Sequence, residues 1–498
     1  MQTDIRLLLA VLVPLVGAGL VMANGKRPNV REGCSLAAAV GLFAVVASML
    51  PDVMAGKTLK WTLFELVPGW GEHFKPLSFA LRADALSMVF AFAASLLWVL
   101  TVFYAAGYMR GLKEHEQTRF NTCFALALFG AMGCAFSDNL LTLYLFYEIV
   151  SICTYPLVAH HQDEESYAGA QKYITYLTAT AKGLILPAMV GIYVLAGTLD
   201  FPNEIRGGII PTDANRWVVT LLYACCILGF AKNGVMPFHN WLPSAMVAPT
   251  PVSALLHAVA VVKVGVFSTV RVMLFVFGTD CMQRLNLGLP TAYFVSITIV
   301  VGSIVALSKD NLKARLAYST VSQLSYVILG VALLSDAGIQ GGLIHIANHA
   351  FSKITLFFCA GAIYVATHKK NISEMSGLGR AMPITFGAFA LASLSMIGAP
   401  PVAGFVTKWY LLNGAMDAHS LAIVGVLLIS TLLNAAYFAP VVYQAFFGKP
   451  SEADVKHGYG EAHPALVVPL CITAVISVAI GLYPNFFMGL VHKVISLS

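Results

Sequence analysis

The chain has 498 residues, of which 58% are hydrophobic and only 11% charged, and its mean hydropathy is +0.78. A water-soluble domain of this size needs far more charge to cover its surface, so the soluble globular classes are excluded. The net charge of +6 is spread over loops, with no basic block or aromatic interleaving, which excludes a nucleic-acid partner.

Apolar stretches recur along the whole chain, each near-continuous over about 17–25 residues and without a period of two. In lipid every backbone polar group must be satisfied internally, so these stretches read as helices. The expected fold is an all-α polytopic membrane protein of about fourteen transmembrane helices. In chain order they centre on 5–22, 34–50, 85–105, 121–136, 139–159, 172–196, 215–232, 252–275, 290–307, 318–335, 342–366, 383–412, 421–444 and 467–487. The first follows Arg6 and ends near Ala23; its weak early charge favours a retained helix over a cleaved signal peptide. Residues 51–84 read as a longer polar loop, and the whole of 1–498 as one membrane domain.

Basic residues concentrate in the loops after helices 1, 3, 9, 11 and 13: Lys26, Arg27, Arg31, Arg110, Lys113, Arg119, Lys309, Lys313, Arg315, Lys369, Lys370, Arg380, Lys449 and Lys456. The positive-inside rule then puts both termini on the periplasmic side of a bacterial inner membrane. Nine cysteines are scattered, mostly inside spans, with no CxxC pair or Cys/His cluster. No disulfide, metal or cofactor site is indicated.

Helix 7 runs into Lys232-Asn-Gly-Val-Met-Pro237, then Pro243 and Pro249; helix 12 runs into Gly398-Ala-Pro400-Pro401, then Gly404 and Lys408. Two breaks, each with a lysine, point to inverted repeats around an ion site at mid-membrane. Two ordinary proline kinks are the alternative.

A charge at the bilayer centre costs about 2.5–3.5 kcal/mol on insertion scales and persists where it faces a partner or a water path. Glu148 lies in mid-helix 5, Lys232 at the helix 7 break, Lys263 in helix 8 and Lys408 at the helix 12 break. His345, His349 and Lys353 are four apart in helix 11 and share one face. One acid, three spaced lysines and this stripe form a candidate proton relay, in which moving Glu148 toward or away from Lys232 loads or unloads a proton. A static Glu148–Lys232 salt bridge is the competing reading. His257 either joins the relay or bonds a backbone carbonyl, and Lys182 either joins or snorkels. Zinc at His345 and His349 lacks an evident third ligand. His160, His161, Asp163, Glu164 and Glu165 read as a solvated loop or an acidic funnel; Arg82 and Asp84 read as an interfacial pair.

Four segments are recognisable: MPFHNWLPSAMVAPTPVSALLHAVAVVKVGVF (236–267), DNLKARLAYSTVSQLSYVILG (310–330), GGLIHIANHAFSKITLFFCAGAI (341–363) and GAPPVAGFVTKWYLL (398–412). They resemble the antiporter-like subunits of respiratory complex I, of membrane-bound hydrogenases, and the D subunit of Mrp cation/proton antiporters. The resemblance implies a central axis of proton transfer through Glu148, Lys232, Lys263 and Lys408. The helix 11 stripe would connect the half-channels, with Lys408 at the outlet. It also implies two inverted five-helix repeats, 120–275 and 290–445, flanked by 1–119 and 446–498. Partners would be other membrane subunits, protons and Na+. Ser244 departs from the pattern, since an acid often follows WLP there. A lysine at 408, and a chain too short for a lateral helix, lean toward an Mrp D-type subunit. A complex I or hydrogenase subunit is the alternative. The chain carries no nucleotide, flavin or iron–sulfur motif, so any redox step would belong to partners.

Overall fold

A computed structural model describes residues 2–71, 73–450, 452 and 458–496; Lys456 lies outside them. The order is β1 (Gln2–Thr3), α1 (Arg6–Ala23), α2 (Pro28–Met54), β2 (Leu59–Val67), β3 (Leu77–Ala83), α3 (Ala85–Gly111), α4 (Gln117–Ala135), α5 (Leu140–Val158) and α6 (Glu164–Ala196). Then come α7 (Arg216–Gly229), α8 (Thr250–Arg284), α9 (Gly288–Ser308), α10 (Leu312–Ala332), α11 (Asp336–Thr367), α12 (Pro383–Ile397), α13 (Ala403–Asp417), α14 (Leu421–Phe447), α15 (Pro464–Leu482) and α16 (Asn485–Ile495). A helix lies over every expected span, the twelfth as the pair α12 and α13, and ten of the described helices are long and apolar enough to cross a membrane.

Several helix starts are written in the sequence as N-caps. Asp84, Asn139, Asp163, Asn311 and Ser335 each accept a hydrogen bond from a backbone N–H of the first turn. Asp163 therefore has a structural task in the loop read as an acidic cluster. Between Gly229 and Thr250 the chain has only short turns, such as Ala231–Asn233 and Trp241–Ser244. The second break is the segment 398–402 between α12 and α13. Both expected interruptions are real.

α8 and α11 form the core. Residues 341–363 of α11 are buried without exception, whereas α1, α2 and α14 turn much of their apolar surface outward. α11 has 32 residues and so runs about 48 Å, well beyond a hydrocarbon core of about 30 Å. α8 carries π turns at Leu255–Val259 and Val272–Phe277.

The segment 51–84, expected as a polar loop, folds differently. β2 and β3 form an antiparallel hairpin from Leu59↔Ala83 to Val67↔Leu77, and β1 adds in parallel through Gln2↔Leu59. The inner end of β3 is buried, and Leu81 bridges to Ser137 at the α4–α5 turn. Arg82 and Asp84 pair as expected, with Arg82 Nε 3.1 Å from the Asp84 carboxylate; both are buried, and Asp84 also accepts two bonds from Arg271 of α8, at 2.6 and 2.9 Å.

Candidate functional site

The break after α7 places Lys232 against α5. Its backbone leaves the helix at Gly229, and the side chain, fully buried, crosses to the neighbouring helix. Nζ donates to the Tyr147 carbonyl oxygen at 2.8 Å and to Ser151 Oγ at 2.7 Å, and lies 3.2 Å from the Tyr147 ring centroid. Glu148, the next residue on α5, is half-buried, and its Oε1 is buried with no hydrogen-bond partner. No ion pair joins Glu148 to Lys232 among the described residues. The static salt bridge left open by the sequence is therefore not made, because Tyr147 and Ser151 take up the ammonium instead.

Lys263 of α8 meets the α11 stripe directly. Its Nζ is 2.6 Å from His349 Nδ1. Both groups are buried and lie 86 residues apart in the chain. The His345 and His349 ring centroids are 5.6 Å apart, and His345 Nδ1 is 3.2 Å from Thr407 Oγ1 of α13. Asn348 also donates to Thr407 Oγ1, at 2.9 Å. Lys353, one turn on, donates to Ser319 Oγ of α10 at 2.9 Å. The shared face of α11 thus addresses three different helices.

Lys408 lies at the second break. Its Nζ donates to the Ile397 carbonyl oxygen at 2.6 Å, at the open end of α12, and to Thr431 Oγ1 of α14 at 2.8 Å. The Tyr437 hydroxyl lies 3.1 Å from Ser319 Oγ and donates its single proton to Asn434 Oδ1, and Asn434 Nδ2 donates to the Met396 carbonyl oxygen at 3.1 Å. Lys353, by way of Ser319 and Tyr437, and Lys408, by way of Thr431, thus both reach α14. Of the expected residues, Lys263 bonds His349 directly, while His345, Lys353 and Lys408 each bond other groups, on α13, α10 and α12 with α14; Lys232 lies against α5, which also carries Glu148.

Among the described residues His257 bonds no carbonyl. Both its ring nitrogens are buried without a partner, and the ring packs 4.9 Å from that of Phe357. Lys182 lies in the π turn Ala181–Ile185 and is exposed on the outer face. Lys313, read from the sequence as a loop charge, is part-buried against the 243–250 segment, donating to the Ala248 carbonyl oxygen at 2.6 Å. It lines a cleft of about 470 Å³ that also touches Glu114, His161, Glu165, Lys369 and Lys370. Tyr147, Ser151, Ser319, Thr407, Thr431, Asn434 and Tyr437 were not legible as partners, because hydroxyls and amides inside spans are too common to single out. Only Thr407, adjacent to Lys408, carried a positional hint.

Backbone approach holds the two clusters in place. Gly265, two residues after Lys263, packs against the Lys232–Asn233 peptide so closely that a Cβ would overlap the Lys232 carbonyl carbon. Gly265→Ala is expected to cost about 1–3 kcal/mol as an overpacking change, seen as a lower Tm of the detergent-solubilised protein. An unchanged Tm would mean that the α8–Lys232 contact yields freely.

These features define a polytopic helical membrane protein with a charged interior running across its bundle. Residues 137–434 match the family described as NADH:quinone oxidoreductase/Mrp antiporter, TM. The chain belongs to that family. It is 32% identical to NADH-quinone oxidoreductase subunit N of Desulforudis audaxviator, over 96% of this chain and 95% of that protein. It is 31% identical to NADH-quinone oxidoreductase subunit L of Mycobacterium tuberculosis, over 95% of this chain and 74% of that one. Na(+)/H(+) antiporter subunit A1 of Staphylococcus haemolyticus is 30% identical, over 90% and 57%. The fold is shared with a chain of the Mrp complex from Dietzia, at a TM-score of 0.86, 22% identity and 98% and 96% coverage.

Proposed function

We propose that this chain is a proton-translocating, antiporter-like subunit of a multi-subunit membrane complex. Glu148, Lys232, Lys263, His345, His349, Lys353 and Lys408 act as its relay. The observation that carries this reading is the Lys263–His349 hydrogen bond of 2.6 Å, which joins the helix following the first break to the central helix of the other half. Buried polar atoms without a protein partner at Glu148, His257, His345 and His349 support it, since such atoms are where a proton or ordered water is accommodated. The repeats would be 120–275 and 290–445, with both termini on the periplasmic face of a bacterial inner membrane.

The finer assignment we favour is a D-type subunit of a Na+/H+ antiporter, on the strength of the lysine at 408. A second reading, a subunit of a redox-driven complex of the NADH:quinone oxidoreductase or hydrogenase type, is favoured by the relative called subunit N, which this chain matches nearly end to end. The test is proton flux in inverted vesicles carrying the assembled complex, with and without Na+, for the parent, Glu148→Ala and Lys232→Ala. Na+-dependent flux that both variants abolish supports the antiporter. Flux driven only by an electron donor favours the redox machine, and unchanged flux in both variants overturns the relay.

A further inference from the structure

The turn after α3 and the turn after α5 meet on the face that carries the basic loops. They bring Glu114, His115, His160 and His161 together. One ligand atom each from Glu114, His115 and His160 lies within 4.8 Å of the other two. Glu114 Oε2 is 3.8 Å from His160 Nε2 and 3.6 Å from His161 Nδ1, beyond hydrogen-bond reach in both cases. A tetrahedral zinc ion with bonds of about 2.0–2.2 Å holds its donor atoms roughly 3.3–3.6 Å apart. The Glu114–His160 separation is close to that value, and the widest separation, at most 4.8 Å, has to close by up to about 1.5 Å.

His160 shows that this is a built pocket. Its ring is fully buried, and among the described residues neither ring nitrogen has a hydrogen-bond partner. Buried imidazole nitrogens are ordinarily satisfied. The ring is also fixed: Arg119 donates to the His160 carbonyl oxygen at 2.9 Å, His115 stacks on it at 4.9 Å between centroids, and Phe120 packs edge-on at 5.8 Å. The Glu114 carboxylate on the open side disfavours an anion. Imidazoles with one carboxylate suit zinc, nickel or copper, whereas sodium, magnesium and calcium prefer oxygen alone.

We propose that Glu114, His115 and His160 form a binding site for a transition-metal dication of the zinc class, with His161 beside the Glu114 carboxylate. Glu114 and His161 also line the 470 Å³ cleft that reaches Lys313. The bound ion therefore stands on the rim of that cleft, clamps the two turns together and repels cations at the entrance. The site is independent of the relay reading and departs from the sequence expectation of no metal.

The test uses the full chain purified in detergent, with Co2+ alone and then Zn2+ alone. One Co2+ per chain is expected, giving the strong visible bands of a tetrahedral site, and Zn2+ should displace it. Glu114→Gln and His115→Ala, which spare the buried ring, should each weaken binding at least tenfold. His492→Ala, on an exposed position of α16, should not. A weak octahedral Co2+ spectrum, meaning an adventitious ion only, overturns the proposal. So does binding that neither Glu114→Gln nor His115→Ala changes.

Discussion

Lys263→Met is expected to lower proton flux through the assembled complex by at least about 100-fold while the subunit still folds and assembles. Methionine fills nearly the same volume but cannot carry a charge. The substitution leaves His349 facing an apolar gap between α8 and α11. Placing a charge in such a gap costs about 2.5–3.5 kcal/mol or more, and each 1.36 kcal/mol on a barrier is tenfold in rate. Lys263→Arg separates two roles of the residue. A guanidinium keeps the charge but does not release its proton, so Lys263→Arg should be as inactive as Lys263→Met if Lys263 exchanges protons. Flux measured in vesicles, normalised to assembled complex, decides the matter. Parental flux in Lys263→Arg would reduce the residue to a fixed charge, and parental flux in Lys263→Met would remove it from the path.

Asp84→Ala is expected to be the most damaging single change to stability. Asp84 sits between two guanidiniums, accepting from Arg271 and lying 3.1 Å from Arg82 Nε, and it caps α3 through the Ser87 N–H at 2.9 Å. Lys60 and Asp138 extend the chain of alternating charges, 2.9 Å from each other, with Asp138 3.7 Å from Arg82. Removing one partner of a buried pair costs about 3–5 kcal/mol, because the other charge is left uncompensated. Loss of the cap adds about 1 kcal/mol. The expected result is a sharply lower Tm or failure to accumulate in the membrane, partly relieved by adding Arg271→Met.

The same cluster sets a pH dependence. Burial alone would raise the Asp84 carboxyl, but Arg271 and Arg82 overcome it and hold the group well below the ordinary carboxylate range. A depressed carboxylate stabilises the fold above its unfolded value, near 3.9, and that contribution disappears as pH falls through the folded value. The Asp84 contribution is therefore complete at neutral pH and is withdrawn only in strong acid. A Tm of Asp84→Ala equal to the parent's at neutral pH would contradict this account.

The spans and both breaks were legible because the bilayer imposes one rule on every residue: satisfy the backbone inside the segment or do not cross. Buried charges stood out for the same reason. What escaped were contacts fixed by packing between distant segments. Lys263 and His349 share no sequence pattern, and their meeting depends on how α8 and α11 lie together. Arg271 bonds Asp84 across 187 residues of chain, a pairing that no local pattern announces. The hairpin at Leu59–Ala83 was hidden because Lys60 and Arg82, which normally mark a loop, point at Asp138 rather than at water.

The bond between Lys263 and His349 has one further consequence. A single hydrogen lies between the two nitrogens, so one of them must offer a lone pair. An ammonium can face only a bare Nδ1, and a protonated Nδ1 can face only a neutral amine. While the contact stands, a proton on one side of that line bars a second from the other. The junction thus obeys mutual exclusion: two adjoining sites hold one occupant, and the next can arrive only after the first has moved on or the pair has parted.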